Sequence, residues 1–137
     1  MDSTREIYSS AWFQVDIDGL SAVAFASCRG LGGRSKYLAV NEGGRDTPRL
    51  FTDEVTWNPI LLERGFTADP ELFDWFDRGA PRDGTVSLLG SDGGVVSRWR
   101  FERGRVARWD TSDLDAAVAA VSLESVEIVH EGLRWLT

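Results

Sequence analysis

An extended segment followed by a short helix, at residues 55–79, constrains the fold of this chain most strongly. The segment reads VTWNPILLERGFTADPELFDWFDRG. Its first half has the density of apolar residues that is typical of a buried strand, supplied by Val55, Trp57, Ile60, Leu61 and Leu62. In the second half, Asp69 and Pro70 are typical of a helix start and Gly79 is typical of a helix end. We therefore predict one buried strand and then a helix over 69–79.

The predicted helix carries a single apolar stripe, formed by Leu72, Phe73, Trp75 and Phe76. A helix of about ten residues is not stable alone in water, so this stripe has to dock on a sheet. We expect a helix–sheet core in which one side of the helix meets the preceding strand. The residues predicted for that core are Trp57, Leu61, Leu72, Phe73 and Phe76.

The rest of the chain has the pattern of short strands. Phe13, Val15 and Ile17 alternate with polar residues, as in a half-buried strand, and a turn signal follows at Asp18-Gly19. Further extended stretches are predicted at 20–28, 35–42, 85–89, 95–102, 106–109 and 121–131. About eight strands around one helix indicate a mostly-β (α+β) fold. We expect a single domain over residues 1–137, in which residues 1–10 form a flexible N-terminal arm.

Composition and charge exclude several classes of function. The net charge of −7 disfavours binding to nucleic acid through its phosphates. No apolar run approaches the roughly 20 residues that a membrane-spanning helix needs, so we expect no membrane insertion. The first residues have neither the basic nor the apolar region of a signal peptide, and export by one is not expected. A single cysteine excludes an internal disulfide.

Cys28 and His130 form the one pair of residues that suggests nucleophilic catalysis. Cys28 lies among small residues, where an inert buried thiol is expected, and no basic neighbour lowers its pKa. Strand alternation points Glu127 and Glu131 away from His130, which disfavours a metal site. We therefore predict no catalytic, cofactor-binding or metal-binding residues. From the residues alone, a structural or ligand-binding β-domain is favoured, and a Cys28-dependent enzyme is the weaker alternative.

Several segments, in this order and spacing, resemble the tail-tube proteins of contractile phages and of phage-tail-like contractile injection systems. The resemblance covers about residues 12–135. The segments that carry it are FQVDIDGL (13–20), CRGLG (28–32), NEGG (41–44), ILLERGFTADPELFDWF (60–76), RDGTVSLL (82–89), VVSRWRF (95–101), ARWDTSDLDA (107–116) and SLESVEIVHEGL (122–133).

The resemblance implies two packed antiparallel sheets with one short flanking helix. It also implies that six copies close a ring by joining their sheets into a continuous β-barrel. Such rings stack into a hollow tube inside a contractile sheath, through which a cargo effector or DNA passes. The implied partners are other copies of the chain, the sheath, and baseplate and spike proteins, without enzymatic activity or cofactor. The implied location is the bacterial cytoplasm during assembly and then a phage-like particle. A baseplate tube-initiator or adaptor ring is the alternative within the same machine.

The loop predicted at 43–53 departs from the family pattern. The chain reads LAVNEGG at 38–44 where family members tend to read EYREGG, and RLFT at 49–52 where they tend to read KLPG. This region resembles the one that contacts the neighbouring ring. We expect a mobile loop that orders when the next ring docks, unless Phe51 packs on the core of its own subunit. The residues predicted for this inter-ring contact are Arg45, Arg49, Leu50 and Phe51.

Overall fold

The computed structural model describes residues 11–44, 46–66, 69–112 and 123–137, and these contain nine strands and one helix. The arm predicted at 1–10 lies outside the described residues. The elements are β1 (Trp12–Ile17), β2 (Val23–Arg29), β3 (Gly33–Val40), β4 (Arg49–Trp57), β5 (Ile60–Phe66), α1 (Glu71–Arg78), β6 (Arg82–Leu89), β7 (Val95–Thr111), β8 (Glu124–Val129) and β9 (Gly132–Trp135).

Six antiparallel strands close into a barrel. The strands are hydrogen-bonded in the order β6-β1-β2-β5-β8-β7, and β7 also pairs with β6, which closes the circle. The 17-residue strand β7 makes this closure possible, because its first part pairs with β6 and its last part pairs with β8. Strand β9 adds to the edge of β7. The prediction of a mostly-β fold with one short helix is confirmed, with the expected sheet layers joined into a barrel.

The core fills the interior of this barrel with alternate residues from its strands. In β1, Val15 and Ile17 are buried while Asp16 between them is exposed, as the alternating pattern predicts. The other fully buried large side chains include Phe25, Ile60, Leu62, Val86, Phe101, Val126 and Ile128. The barrel therefore has an apolar centre of its own, built by every one of its six strands.

The segment at 55–62 is two strands and not one. Strand β4 ends at Trp57 and β5 begins at Ile60, with Asn58-Pro59 between them. Val55 in β4 is 48% exposed, whereas Ile60 in β5 is fully buried. The prediction of one buried strand was wrong because proline has no N–H to donate to a ladder, and the chain changes sheet at this point.

The helix has the predicted start and stop signals within shorter bounds. A carboxylate oxygen of Asp69 accepts a hydrogen bond from the Glu71 N–H at 3.1 Å, and the Pro70 carbonyl accepts one from the Asp74 N–H at 2.8 Å. At the other end, Gly79 adopts a φ of 71° and its N–H donates to the Trp75 carbonyl at 2.9 Å. A positive φ is adopted most easily by glycine, so this residue ends the helix.

The buried face of α1 differs from the predicted one. Leu72 and Trp75 are 1% and 2% exposed, whereas Phe73 and Phe76 are 41% and 37% exposed. The main contacts of the helix are with β7, where the Phe73 ring meets the Trp109 ring edge-on at 5.0 Å between centroids. The assignment of Phe73 and Phe76 to a core with Trp57 and Leu61 was therefore wrong. The helix docks on a different strand, and Trp57 and Leu61 are themselves only half-buried.

Candidate assembly surface

A long exposed hairpin extends from the barrel as a second sheet. Strands β3 and β4 pair with each other in antiparallel register, from Gly33 opposite Trp57 to Val40 opposite Arg49. All described residues from 33 to 56 are exposed. We refer to residues 33–57 as the β3–β4 hairpin.

This hairpin replaces the mobile loop predicted at 43–53. Residues Arg49 to Asp53 belong to strand β4, whereas the described residues 43, 44 and 46–48 of the predicted loop lie before this strand. Arg49 forms an ion pair with Glu42 across the turn at 3.6 Å. Arg45, the fourth residue predicted for an inter-ring contact, lies outside the described residues.

Large apolar side chains project from the hairpin into solvent. Leu50 is 66% exposed and Phe51 is 47% exposed, so Phe51 does not pack on the core of its own subunit. Four other apolar residues of the hairpin are also exposed and were not predicted from sequence: Tyr37, Leu38, Val40 and Val55. The signal that points to them is the Gly43-Gly44 turn, flanked by two strand-forming stretches of similar length.

The apolar residues lie on both faces of the hairpin. Consecutive residues of a strand point to opposite faces, so the side chains of Leu50 and Phe51 do not share a surface. Phe51 is paired with Leu38 on one face, and Leu50 is paired with Ala39 on the other. The hairpin therefore presents apolar surface on two sides.

A two-stranded ribbon of this kind is marginally stable by itself in water. Contiguous exposed apolar side chains on a soluble protein usually mark a contact with another molecule. The free edges of β3 and β4 also offer unpaired backbone groups for hydrogen bonding. The hairpin is therefore the strongest candidate for an assembly surface among the described residues.

His130 lies where the hairpin joins the barrel. Its Nδ1 is 3.0 Å from the Gly132 carbonyl oxygen, and its Nε2 is 3.1 Å from the Asn58 carbonyl oxygen. The ring also lies between Trp57 and Phe101, with a centroid separation of 6.2 Å to each. Burial lowers the pKa of His130 below its usual value, and the two backbone contacts oppose this effect. Sequence reasoning considered His130 only for catalysis or metal binding.

The described geometry gives no support to a Cys28–His130 catalytic dyad. Burial raises the pKa of the Cys28 thiol to about 11, so the nucleophilic thiolate does not form near neutral pH. Both ring nitrogens of His130 face backbone carbonyls. A general base needs a free nitrogen within reach of the proton that it takes from the nucleophile.

The described residues also give little support to a ligand site. They contain no group of three or more His, Cys, Asp or Glu side chains placed to hold a metal ion. A pocket beside α1, lined by residues that include Leu20, Glu71 and Trp75, has a volume of about 200 Å³. Typical small-molecule sites have roughly 300–1,000 Å³, so the ligand-binding alternative gains no support from this pocket.

No helix in the described part of the chain is both long and apolar enough to cross a membrane.

Comparisons with known proteins give a consistent result. The family model for the T4-like virus tail tube protein gp19 matches residues 9–134. A chain from an extracellular contractile injection system, the PVC sheath-tube complex in its extended state, superposes with a TM-score of 0.72 and 18% identity. This match covers 90% of the present chain and 87% of the other. A comparison with curated protein sequences gives no match.

Two further solved structures share the fold. A chain of the anti-feeding prophage baseplate superposes with a TM-score of 0.67 and 23% identity, covering 92% of the present chain and 91% of the other. Hcp1 from Flavobacterium johnsoniae superposes with a TM-score of 0.59 and 16% identity, covering 90% and 94%. The comparisons do not favour a baseplate initiator ring over a tube subunit. Because the family model spans nearly the whole chain, the protein belongs to the T4-like virus tail tube protein gp19 family.

Proposed function

We propose that this protein is a non-enzymatic subunit of the inner tube of a contractile phage tail or phage-tail-like injection system. Six copies form a ring, and rings stack into a hollow tube that conducts a cargo effector or DNA. Membership of the tail tube family supports the tube role. The similar PVC chain comes from a sheath-tube complex, which supports a contractile sheath as the partner on the outside of the tube.

The exposed β3–β4 hairpin is the observation that carries this proposal. The hairpin has apolar side chains on two faces, among them Leu50, which is 66% exposed, and Phe51, which is 47% exposed. The isolated subunit does not shield these side chains from water, so another molecule has to do so. A ribbon inserted between neighbouring subunits is covered on both faces at once. We assign Leu50, Phe51 and Arg49 to the contact with the next ring, together with Arg45.

The remaining roles follow from the tube assignment. The chain acts as one tube domain over residues 1–137, assembles in the bacterial cytoplasm, and ends up inside a phage-like particle. The first ring of the tube meets baseplate and spike proteins. The similar baseplate chain of the anti-feeding prophage supports this association.

A double variant, Leu50→Asp with Phe51→Asp, tests the inter-ring contact. It removes one large apolar side chain from each face of the hairpin and places charges where the next ring has to pack. Both residues are exposed in the subunit, so we expect the variant to fold and to form rings. We expect it not to stack, because burying unpaired carboxylates is unfavourable. Electron micrographs of the purified variant give the length distribution of its tubes.

The matched control is Thr52→Asp with Thr56→Asp, which adds the same charge to exposed positions of β4 and retains every apolar side chain. We expect the control to form tubes longer than those of the Leu50/Phe51 variant. Tubes of normal length from the Leu50/Phe51 variant would show that the hairpin is not the inter-ring contact.

A further inference from the structure

The β3–β4 hairpin is attached to the barrel at a narrow base. The chain enters it through Gly30–Gly33 and leaves it through Asn58-Pro59. At this base the Asn58 N–H donates to the Gly32 carbonyl at 3.0 Å. Strands β3 and β4 make their extensive contacts with each other and not with other described elements. The direction of the hairpin relative to the barrel therefore depends on few contacts.

His130 supplies contacts to both sides of this base. On the barrel side, its Nδ1 faces the Gly132 carbonyl and its ring lies near Phe101. On the hairpin side, its Nε2 faces the Asn58 carbonyl and its ring lies near Trp57. We propose that His130 is a positioning residue that holds the hairpin at a fixed angle to the barrel. This inference rests on the proposed function, in which the hairpin has to reach the next ring in one orientation.

Carbonyl contacts contribute more than ionic contacts to the link between the His130 ring and the hairpin. The charged residues that line the pocket beside His130 are Arg103 and Arg105 from β7 and Glu131 from its own segment. Arg103 donates from Nε to Glu131 at 2.6 Å, so these two charges pair with each other. On the hairpin side, Trp57 and Asn58 carry no charge. The link from His130 to the hairpin is therefore the contact of Nε2 with the Asn58 carbonyl, which is a hydrogen bond in the tautomer that carries its proton on Nε2, plus ring packing on Trp57.

Two carboxamide variants separate the hairpin contact from the barrel contact. The side-chain nitrogen of glutamine reaches about as far as Nε2 of histidine, and that of asparagine about as far as Nδ1. His130→Gln therefore keeps a donor for the Asn58 carbonyl, whereas His130→Asn keeps one only for the Gly132 carbonyl. Both variants lose the ring equally, so they form a matched pair.

Amide hydrogen exchange on the unassembled full-length chain measures the anchoring. In His130→Asn we expect the Asn58 amide and its neighbours at the hairpin base to exchange about 2- to 10-fold faster than in the native protein, as loss of one hydrogen bond predicts. In His130→Gln, which loses the ring packing but keeps the donor, we expect slower exchange than in His130→Asn, between that variant and the native protein. The exchange rates of the β1 and β6 amides should be unchanged in both variants. Arg134→Gln, at an exposed position of β9, is the surface control.

Equal exchange in the Gln and Asn variants would overturn the proposal. So would equal acceleration in the barrel and at the hairpin base, since that result would indicate general destabilisation. The measurement needs no tube, so its failure is distinguishable from failure of the proposed function, which is tested by stacking of the Leu50/Phe51 variant.

Discussion

At the residue scale, Phe101 shows how closely the barrel interior is packed. Its ring is fully buried and lies over two glycines, Gly84 in β6 and Gly104 in β7. A Cβ placed on Gly84 would lie 2.4 Å from the Phe101 ring, and one on Gly104 would lie 2.6 Å from it. These distances are shorter than a non-bonded contact allows, so glycine is required for the ring to occupy this position.

Gly84→Ala should therefore destabilise the subunit by about 1–3 kcal/mol, as overpacking of a filled core does. The control is Gly43→Ala in the hairpin turn, where an added Cβ meets nothing within 4 Å. Urea unfolding of the two variants gives the difference in the free energy of unfolding. Equal stability of both variants would show that the Phe101 ring can move aside without cost.

Sequence patterns predict which residues of a strand point inward, but not which residues meet inside. Alternation was sufficient for Val15 and Ile17, because the period of a strand depends only on local geometry. The contact of Gly84 with Phe101 depends on the register of β6 against β7. That register is set by bulges and turns whose effect is not visible in the local pattern. The same limit applies to His130, whose hydrogen-bond partner Asn58 is 72 residues away.

At the element scale, the apolar residues of α1 cover an arc wider than the face that is buried. At about 100° per residue, the arc from Trp75 to Phe73 spans about 160°. The sequence indicates this arc but not its rotation relative to the barrel. The structure buries the side with Leu72 and Trp75, and the Trp75 indole N–H donates to the Ala80 carbonyl at 2.7 Å. The helix is thus oriented by a residue that was absent from the predicted core.

Trp75→Ala should cost on the order of 3–5 kcal/mol of stability, because it removes a large buried aromatic side chain. Phe76→Ala should cost clearly less, since Phe76 is 37% exposed in the subunit. Thermal or urea unfolding of the unassembled variants measures both changes. If the Phe76 variant proved to be the less stable one, the orientation of the helix described above would be wrong.

The segment at 55–62, which was predicted as one strand, illustrates a different limit of sequence reasoning at this scale. Val55 and Ile60 are both β-branched and apolar, yet only Ile60 is buried in the barrel. Apolar density alone does not distinguish a core strand from an assembly strand, because both bury their side chains in the final complex. Pro59 was the available signal, since a proline within an apparent strand argues for a break.

At the scale of the whole molecule, the barrel has a complete apolar core, whereas the apolar side chains of the β3–β4 hairpin are exposed to solvent. The ion pairs of the described residues, such as Arg29–Glu63 and Arg108–Asp110, lie largely on the exposed surface. Exposed pairs of this kind contribute roughly 0–1 kcal/mol each. We expect apolar burial of the hairpin and pairing of free strand edges to contribute more to an assembly than exposed ion pairs do.

The family was predictable from sequence because its signal is spread over many short segments in a fixed order. The hairpin surface was predictable only in part, because a contact at Leu50 and Phe51 was expected within a mobile loop and not within a paired strand. The exposure of Tyr37, Leu38, Val40 and Val55 had to be read from the structure, because an apolar residue in a strand is equally compatible with a core position.

Electron microscopy of the purified chain tests the tube assignment directly. We predict hollow rings with sixfold symmetry that stack coaxially into tubes, with the β3–β4 hairpin at the junction between successive rings. A chain that remains monomeric at concentrations well above those needed for imaging, or that forms rings whose junctions do not include the hairpin, would contradict it.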